Sequence, residues 1–301
     1  MARTIEEYLA ELRGQLANED PALVQDALYD AEEFLRNEVG AAASTGVAPD
    51  VAFDAAVERY GTPDEVAGAY RDAEITVSRL LRPPAAREQR SWLGRFFGIV
   101  ADPTAYGALL YMLLALATGC IYFSVVVTGL SMSLGLAVLI VGIPFFLLFV
   151  AVARAISLAE GRLVEALLGE RMPRRPRLAP ASTGEGMVAR VKAWLTDYRT
   201  WTTMLYMALQ LVLGIAYFTI VVTGLATAVA FIAAPFVQVF TDLPMFWWGG
   251  YAHELQPWAL PFSVLFGVLV AVVTLHICKF VGRLHAAYAK VMLVGRFGDA
   301  A

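Results

Sequence analysis

"YFSVVVTGL", residues 122–130, returns 95 positions later as "YFTIVVTGL", residues 217–225. Seven of the nine letters are identical, and the offset holds well beyond the phrase. Asp102 pairs with Asp197, Tyr106 with Trp201, Leu110-Tyr111-Met112 with Leu205-Tyr206-Met207, and Gly119 with Gly214. Upstream, "RFFGIVAD" (95–102) and "RVKAWLTD" (190–197) are both short amphipathic stretches ending in Asp. The pattern predicts an interfacial helix, then an Asp N-cap opening an apolar helix, with Pro103 at the first helical position of the first copy. Gly129 and Gly224 read as C-caps that end the helix and let the chain reverse. Further on, "GRLVEALLG" (161–169) corresponds loosely to "GRLHAAYAKVMLVG" (282–295), an amphipathic exit helix for each copy.

Composition says where this repeated unit lives. The 301 residues are 58% hydrophobic and only 17% charged, with a mean hydropathy of +0.61, which is too apolar for an ordinary soluble domain. No Asp, Glu, Lys, Arg or His interrupts residues 103–153, 200–241 or 255–275. A helix needs about 20 residues to cross the hydrocarbon, so the first run holds two spans. Four spans follow, at roughly 104–128, 132–154, 199–225 and 259–280. The stretch 226–241 is too short for a fifth, and its place as re-entrant or interfacial stays open. The expected fold is all-α: a four-span membrane bundle of two tandem hairpin repeats behind a small four-helix head. The expected divisions are a head (1–84), a first repeat (85–178) and a second repeat (179–301) with an outer loop (226–258).

Basic residues orient the bundle. They precede the first span (Arg87, Arg90, Arg95), fill the segment between the second and third (Arg162 to Arg199) and follow the fourth (Lys279, Arg283, Lys290, Arg296). The other two connections carry no Lys or Arg, so both termini and the central linker are expected in the cytoplasm. The second outer connection is the longer one. It contains Asp242, Phe246, Trp247, Trp248, Tyr251, His253, Glu254 and Trp258. These form either an interfacial aromatic belt or a lid over an apolar or lipid-like ligand, with His253 adding a group that titrates near neutral pH.

The first 80 residues differ in kind, with 17 acidic and 6 basic side chains. The opening "MARTIEEYLAELRGQL" is amphipathic and acidic, unlike a signal peptide. Four short helices are expected: one with Tyr8, Leu12 and Leu16 on a face, one opened by Asp20-Pro21 and stopping near Gly40, one ending at Gly61, and one begun by a Thr62–Glu65 capping box. Such a surface repels nucleic-acid phosphate, and anionic lipid should hold it off the membrane. Glu32, Glu33, Asp64 and Glu65 are the candidate docking residues for a cytoplasmic protein.

The head resembles the HAAS family of small helical signalling domains through "YLAELRGQL" (8–16), "DALYDAEEFL" (26–35) and "AVERYGTPDEVAGAY" (56–70). The body resembles the sensor-type membrane domain found ahead of histidine kinases in actinobacteria. The duplicated phrase, "GIPFFLLF" (142–149) and "GRLVEALLGERMP" (161–173) carry that likeness; no kinase domain follows before Ala301. The HAAS resemblance implies a PadR-like transcription regulator as partner.

No catalytic, cofactor or metal constellation stands out in the sequence. There is no phosphate-binding glycine loop and no nucleophile with a base. Cys120 and Cys278 read as small buried hydrophobes, and Gln210 as interhelical glue. Glu160 and Glu165 read as surface partners of Arg154 and Arg162. The expected role is a non-enzymatic membrane sensor and relay, its partners being the bilayer and a cytoplasmic protein met through residues 1–84, with homo-oligomerisation left open. A structural subunit of a larger complex, a small-solute permease and a lipid-acting enzyme are the alternatives. Impermeant thiol labelling of cysteines placed in the head and in the arginine-rich middle segment should find both on one side of the membrane; labelling from opposite sides would overturn the topology.

Overall fold

The structure, a computed structural model, describes residues 4–81, 92–138, 141–175, 194–241 and 246–294. Arg87, Arg90, Arg177, Arg190, Lys192, Asp242 and Arg296 lie outside the described residues. Four helices open the chain: α1 (Ile5–Gln15), α2 (Pro21–Ser44), α3 (Pro49–Tyr60) and α4 (Pro63–Leu81). Their stripes meet in one core around Tyr8, Leu12, Leu23, Ala31, Leu35 and Phe53. Local signals set their starts. Asp20 accepts from the Ala22 N–H at 2.9 Å ahead of Pro21. Glu65 accepts from the Thr62 N–H at 2.8 Å, closing the capping box. Helix α2 passes Gly40 and stops at Ser44.

After a short α5 (Trp92–Phe97) come four helices long and apolar enough to cross a membrane: α6 (Pro103–Gly135), α7 (Gly142–Leu168), α8 (Tyr198–Thr241) and α9, whose regular part is Leu260–Leu293. Asp102 caps α6, accepting from the Thr104 N–H at 3.0 Å. Asp197 does the same ahead of α8, accepting from the Arg199 N–H at 3.1 Å. The repeat extends to single bonds. Tyr106 Oη donates to the Val100 carbonyl at 2.8 Å, and 95 residues on, Trp201 Nε1 donates to the Leu195 carbonyl at 2.9 Å.

Gly129 and Gly224 do not end their helices. Both α6 and α8 run through them, because each glycine admits a neighbour: the Phe149 ring of α7 meets Gly129, and Thr274 of α9 meets Gly224. The sequence expectation mistook a packing glycine for a cap. Helix α8 continues without a break over 226–241, with Pro235 inside it. Pro235 has no N–H for the Phe231 carbonyl four residues back; Ser263 Oγ of α9 donates to that carbonyl instead, at 2.6 Å. At about 66 Å by its residue count, α8 outruns the hydrocarbon. Beyond it, β1 (Phe246–Trp248) and β2 (Tyr251–His253) form a small antiparallel ribbon, turned by Gly249 and Gly250 at φ 61° and 83°. Gln238 holds its exit, accepting from the Leu255 N–H at 2.9 Å and donating to the Leu255 carbonyl at 2.8 Å.

Helices α6 and α8 cross through equivalent small residues. A Cβ on Gly119 would strike the backbone of Gln210 and Leu211, and one on Gly214 the backbone of Ala115 and Leu116; Ala115 and Gln210 are themselves 95 apart. Helices α7 and α9 obey a second offset. Moving 125 residues on carries each buried residue of α7 (Gly142, Phe149, Val150, Ala153, Glu160, Gly161, Val164) onto a buried residue of α9 (Gly267, Thr274, Leu275, Cys278, His285, Ala286, Ala289). The "GRL" match implied 121; the packed register lies four residues further, about one turn, which keeps the same face. Cys278 is buried, whereas Cys120 is exposed and is not the buried hydrophobe expected. Gly119→Val or Gly214→Val should each cost about 1–3 kcal/mol through overpacking, read as a lowered unfolding midpoint in detergent. Gly135→Val, where open space surrounds the Cβ, should leave that midpoint unchanged.

Candidate functional site: a tyrosine cage around Glu160 and His285

The strongest concentration of polar groups lies inside the bundle, where sequence reasoning placed only Gln210, as interhelical glue. Glu160 of α7 is 1% exposed and His285 of α9 is 1% exposed. They occupy equivalent positions of the two repeats, and equivalent tyrosines serve them. Tyr111 Oη (α6) donates to Glu160 Oε1 at 2.6 Å, and Tyr206 Oη (α8) donates to the same oxygen at 2.8 Å. The same two hydroxyls lie 2.5 and 3.0 Å from His285 Nε2. Tyr122 Oη then donates to Glu160 Oε2 at 2.7 Å, and its counterpart Tyr217 lies 3.1 Å from His285 Nδ1. Gln210 Nε2 donates to Tyr111 Oη at 3.1 Å, while its Oε1 has no partner among the described residues. Tyr288 stacks on Tyr206 with ring centroids 5.3 Å apart.

An unpaired carboxylate here would carry a large desolvation penalty; three O–H donors offset it, two on Oε1 and one on Oε2. Those donors fix much of the proton inventory. Tyr111 and Tyr206 spend their protons on Glu160, so a proton on His285 Nε2 is shared by their oxygens. Nδ1 then accepts from Tyr217, giving a cluster of net charge −1, or it is protonated and donates to Tyr217, giving zero. The cage locks two repeats together. Among the described residues no group of three or more His, Cys, Asp and Glu is placed to hold a metal ion.

Glu160 is thus no surface partner of Arg154 and Arg162. Arg154 instead lies 3.5 Å from Asp197 and over the Trp194 ring. Glu165 does pair with an arginine, Arg174, at 2.9 Å.

A second cluster joins the head to the bundle, so the head does not stand off. Asp26 of α2 accepts at Oδ1 from the backbone N–H groups of Arg174 and Arg175, at 2.7 and 2.9 Å. Arg171 lies 3.8 Å from its other oxygen. Asp30 pairs with Arg175 at 2.8 Å, and Lys290 of α9 bridges Asp20 at 2.7 Å and Glu170 at 2.5 Å. Burial raises the Asp26 carboxyl above its ordinary value, against the lowering influence of the two N–H donors and of Arg171.

Of the residues singled out in the sequence, the ribbon pairs Phe246 with His253 and Trp248 with Tyr251 through their backbones. Asp242 and the side chains of Phe246, Trp247, Trp248 and His253 fall outside the described residues. Tyr251, Glu254 and Trp258 are exposed, Trp258 edge-on to Phe262. On the head, Glu32 is buried against Arg36, Glu33 and Asp64 are exposed, and Glu65 is engaged in its capping box.

A family model described as "Putative sensor" matches residues 111–293, from Tyr111 of the cage to the end of α9. The chain belongs to that family. Membership supports a sensor role and, with the four apolar helices, a multi-pass membrane protein. No curated protein matches the chain, and no solved structure does.

Glu160→Leu would orphan three hydroxyls and should destabilise the bundle by about 3 kcal/mol or more. Tyr111→Phe and Tyr206→Phe should each cost about 1–2 kcal/mol, and by similar amounts because their positions are equivalent. Denaturant titration of the detergent-solubilised chain measures all three. A Glu160→Leu chain as stable as the parent would refute the lock.

Proposed function

We propose that this protein is a non-catalytic sensor and relay of the bacterial inner membrane, with its termini in the cytoplasm. A stimulus at the outer loop 226–258, or a change of bilayer state, alters how the two repeats close on the Glu160–His285 cage. The ends of α7 and α9 then move the head, and residues 1–84 carry the change to a cytoplasmic protein. The HAAS resemblance favours a PadR-like transcription regulator in that place, with the exposed Glu33 and Asp64 available to it. Sensor-family membership supports the reading.

The observation that carries it is the Asp26 clamp. Helix α7 ends at Gly169, whose φ of 73° turns the chain. Met172, fully buried, then joins the core of the bundle. Two residues later the N–H groups of Arg174 and Arg175 are held by the head. Lys290 ties α9 to the same end of α2. Both returning helices therefore bear on one helix of the head.

Because the carboxyl of Asp26 is raised in the seated state, seating is favoured by protonation. That contribution is complete below the unfolded-state pKa and is lost as pH climbs through the folded one. Asp26→Asn retains an acceptor and carries no charge, so it should keep the head seated across this pH range. Asp26→Leu orphans two N–H groups at about 2 kcal/mol, or about 30-fold in the seated population. Pulsed electron-spin distance measurement between labels at Glu33→Cys and Val291→Cys, in a background lacking Cys120 and Cys278, reads this directly. The parent and Asp26→Asn should give one narrow distribution and Asp26→Leu a broad one; identical distributions in all three would remove the relay.

A further inference from the structure

Between head and bundle lies a cavity of ≈ 160 Å³. Its inner wall is apolar, formed by Val150, Ala153, Met204 and Leu293. Two arginines, Arg154 and Arg199, also line it. The Asp197 carboxylate offsets one of them. Arg199 is held by neutral oxygens, the Tyr198 hydroxyl at 3.1 Å and the Val294 carbonyl, and among the described residues no carboxylate lies within ion-pair distance of it. The site therefore keeps a net positive charge, at the start of the long helix α8, whose dipole adds to it. Thr200, 6% exposed, lines the cavity as well, and its buried Oγ1 has no hydrogen-bond partner among the described residues. A buried hydroxyl and a neighbouring cation that the described residues leave without partner or counter-ion mark a place for an incoming polar group.

We propose that this cavity binds the phosphate headgroup of an anionic membrane lipid from the leaflet on the head side. Arg199 and Arg154 meet the phosphate, Thr200 gives it a hydroxyl, and the first methylenes of the lipid lie along the apolar wall. A free phosphate shares the charge chemistry but leaves that wall uncovered, which favours the lipid. Basic pockets between membrane helices at the head-group level are built for such groups. Gln25 of α2 and the linker residues Met172 and Pro173 close the other side of the cavity, next to the Asp26 clamp. An occupied cavity thus borders the parts that seat the head, which names the bilayer stimulus of the proposed function and rests on that reading.

The test uses the full chain in nanodiscs of phosphatidylcholine with added phosphatidylglycerol, extracted gently and examined by native mass spectrometry. The parent should retain one phosphatidylglycerol, and Arg154→Gln/Arg199→Gln should retain about tenfold less. Arg199→Lys should keep most of the binding, and Arg283→Gln, exposed on α9, should match the parent. Equal retention in the parent and the double variant would overturn the site. Displacement of the lipid by inorganic phosphate alone would assign the cavity to a soluble anion and overturn the lipid reading. The spin-label distances, read in the same nanodiscs, separate the two proposals. Retained lipid with distances that ignore Asp26→Leu would sink the relay alone, and lost lipid with an intact distance response would sink this site alone.

Discussion

A carboxylate placed within a membrane span dictates what surrounds it. Glu160 has no water to turn to, so every strong lone pair must be met by a donor from the protein. Tyr111 and Tyr122 come from the first repeat and Tyr206 from the second. No single hairpin can satisfy Glu160, so the two must assemble. The crossing of α6 and α8 serves the same end. Tyr111 and Tyr206 each lie eight residues before a crossing glycine, Gly119 or Gly214, about two turns down the helix. Close approach at the glycines brings the two hydroxyls to one oxygen.

Duplication alone would not have produced this cage. Two identical units would set the same side chain at positions 160 and 285, and two carboxylates behind shared tyrosines would repel, forcing one to stay protonated. An acid opposite a base removes that conflict while the tyrosines stay in place. The packing pairs follow the same logic of kept position and changed chemistry. Phe149 fills the space over Gly129 where Thr274 sits over Gly224, and Ala153 corresponds to Cys278. The repeats preserve which face is buried more strictly than which residue buries it.

What could be read in the sequence followed from how local each signal is. Asp102, Asp197, Pro103, Asp20 and the Thr62–Glu65 box act within one helical turn, and all behave as their chemistry requires. Gly129 and Gly224 misled because a glycine that caps and a glycine that packs look alike until the neighbouring helix is known. Glu160 was legible in principle. Arg162 is two residues away, about 200° round the helix, and cannot face it, whereas Ala153 and Val164 do share its face and are buried. A wheel through 149–164 exposes a carboxylate on an apolar stripe. His285 was hidden more deeply, since the "GRL" match aligned it with Val164, one turn from its true counterpart. The Trp-Trp-Gly-Gly-Tyr run held a hairpin signal in its two glycines, obscured by the aromatic density around it.

The seating of the head shows how a total charge can mislead. An acidic domain and an anionic lipid surface repel at long range, but salt screens that repulsion beyond about 10 Å. The outcome is decided by a few contacts within 3 Å, where Asp20, Asp26 and Asp30 along one side of α2 find the linker and Lys290. The rest of the acidic surface is spectator to that contact. More consequential is what the contact shares. Met172 belongs to the buried core of the bundle, and Arg174, two residues on, has its backbone N–H held by the head. A segment this short cannot absorb a displacement of several ångströms at one end while its other end stays fixed. Movement of α7 that shifts Met172 must therefore strain the Asp26 bonds, move α2 with it, or break them. The bundle and the head are joined by a stiff link, and the covalent chain supplies the coupling that side-chain contacts alone would leave loose.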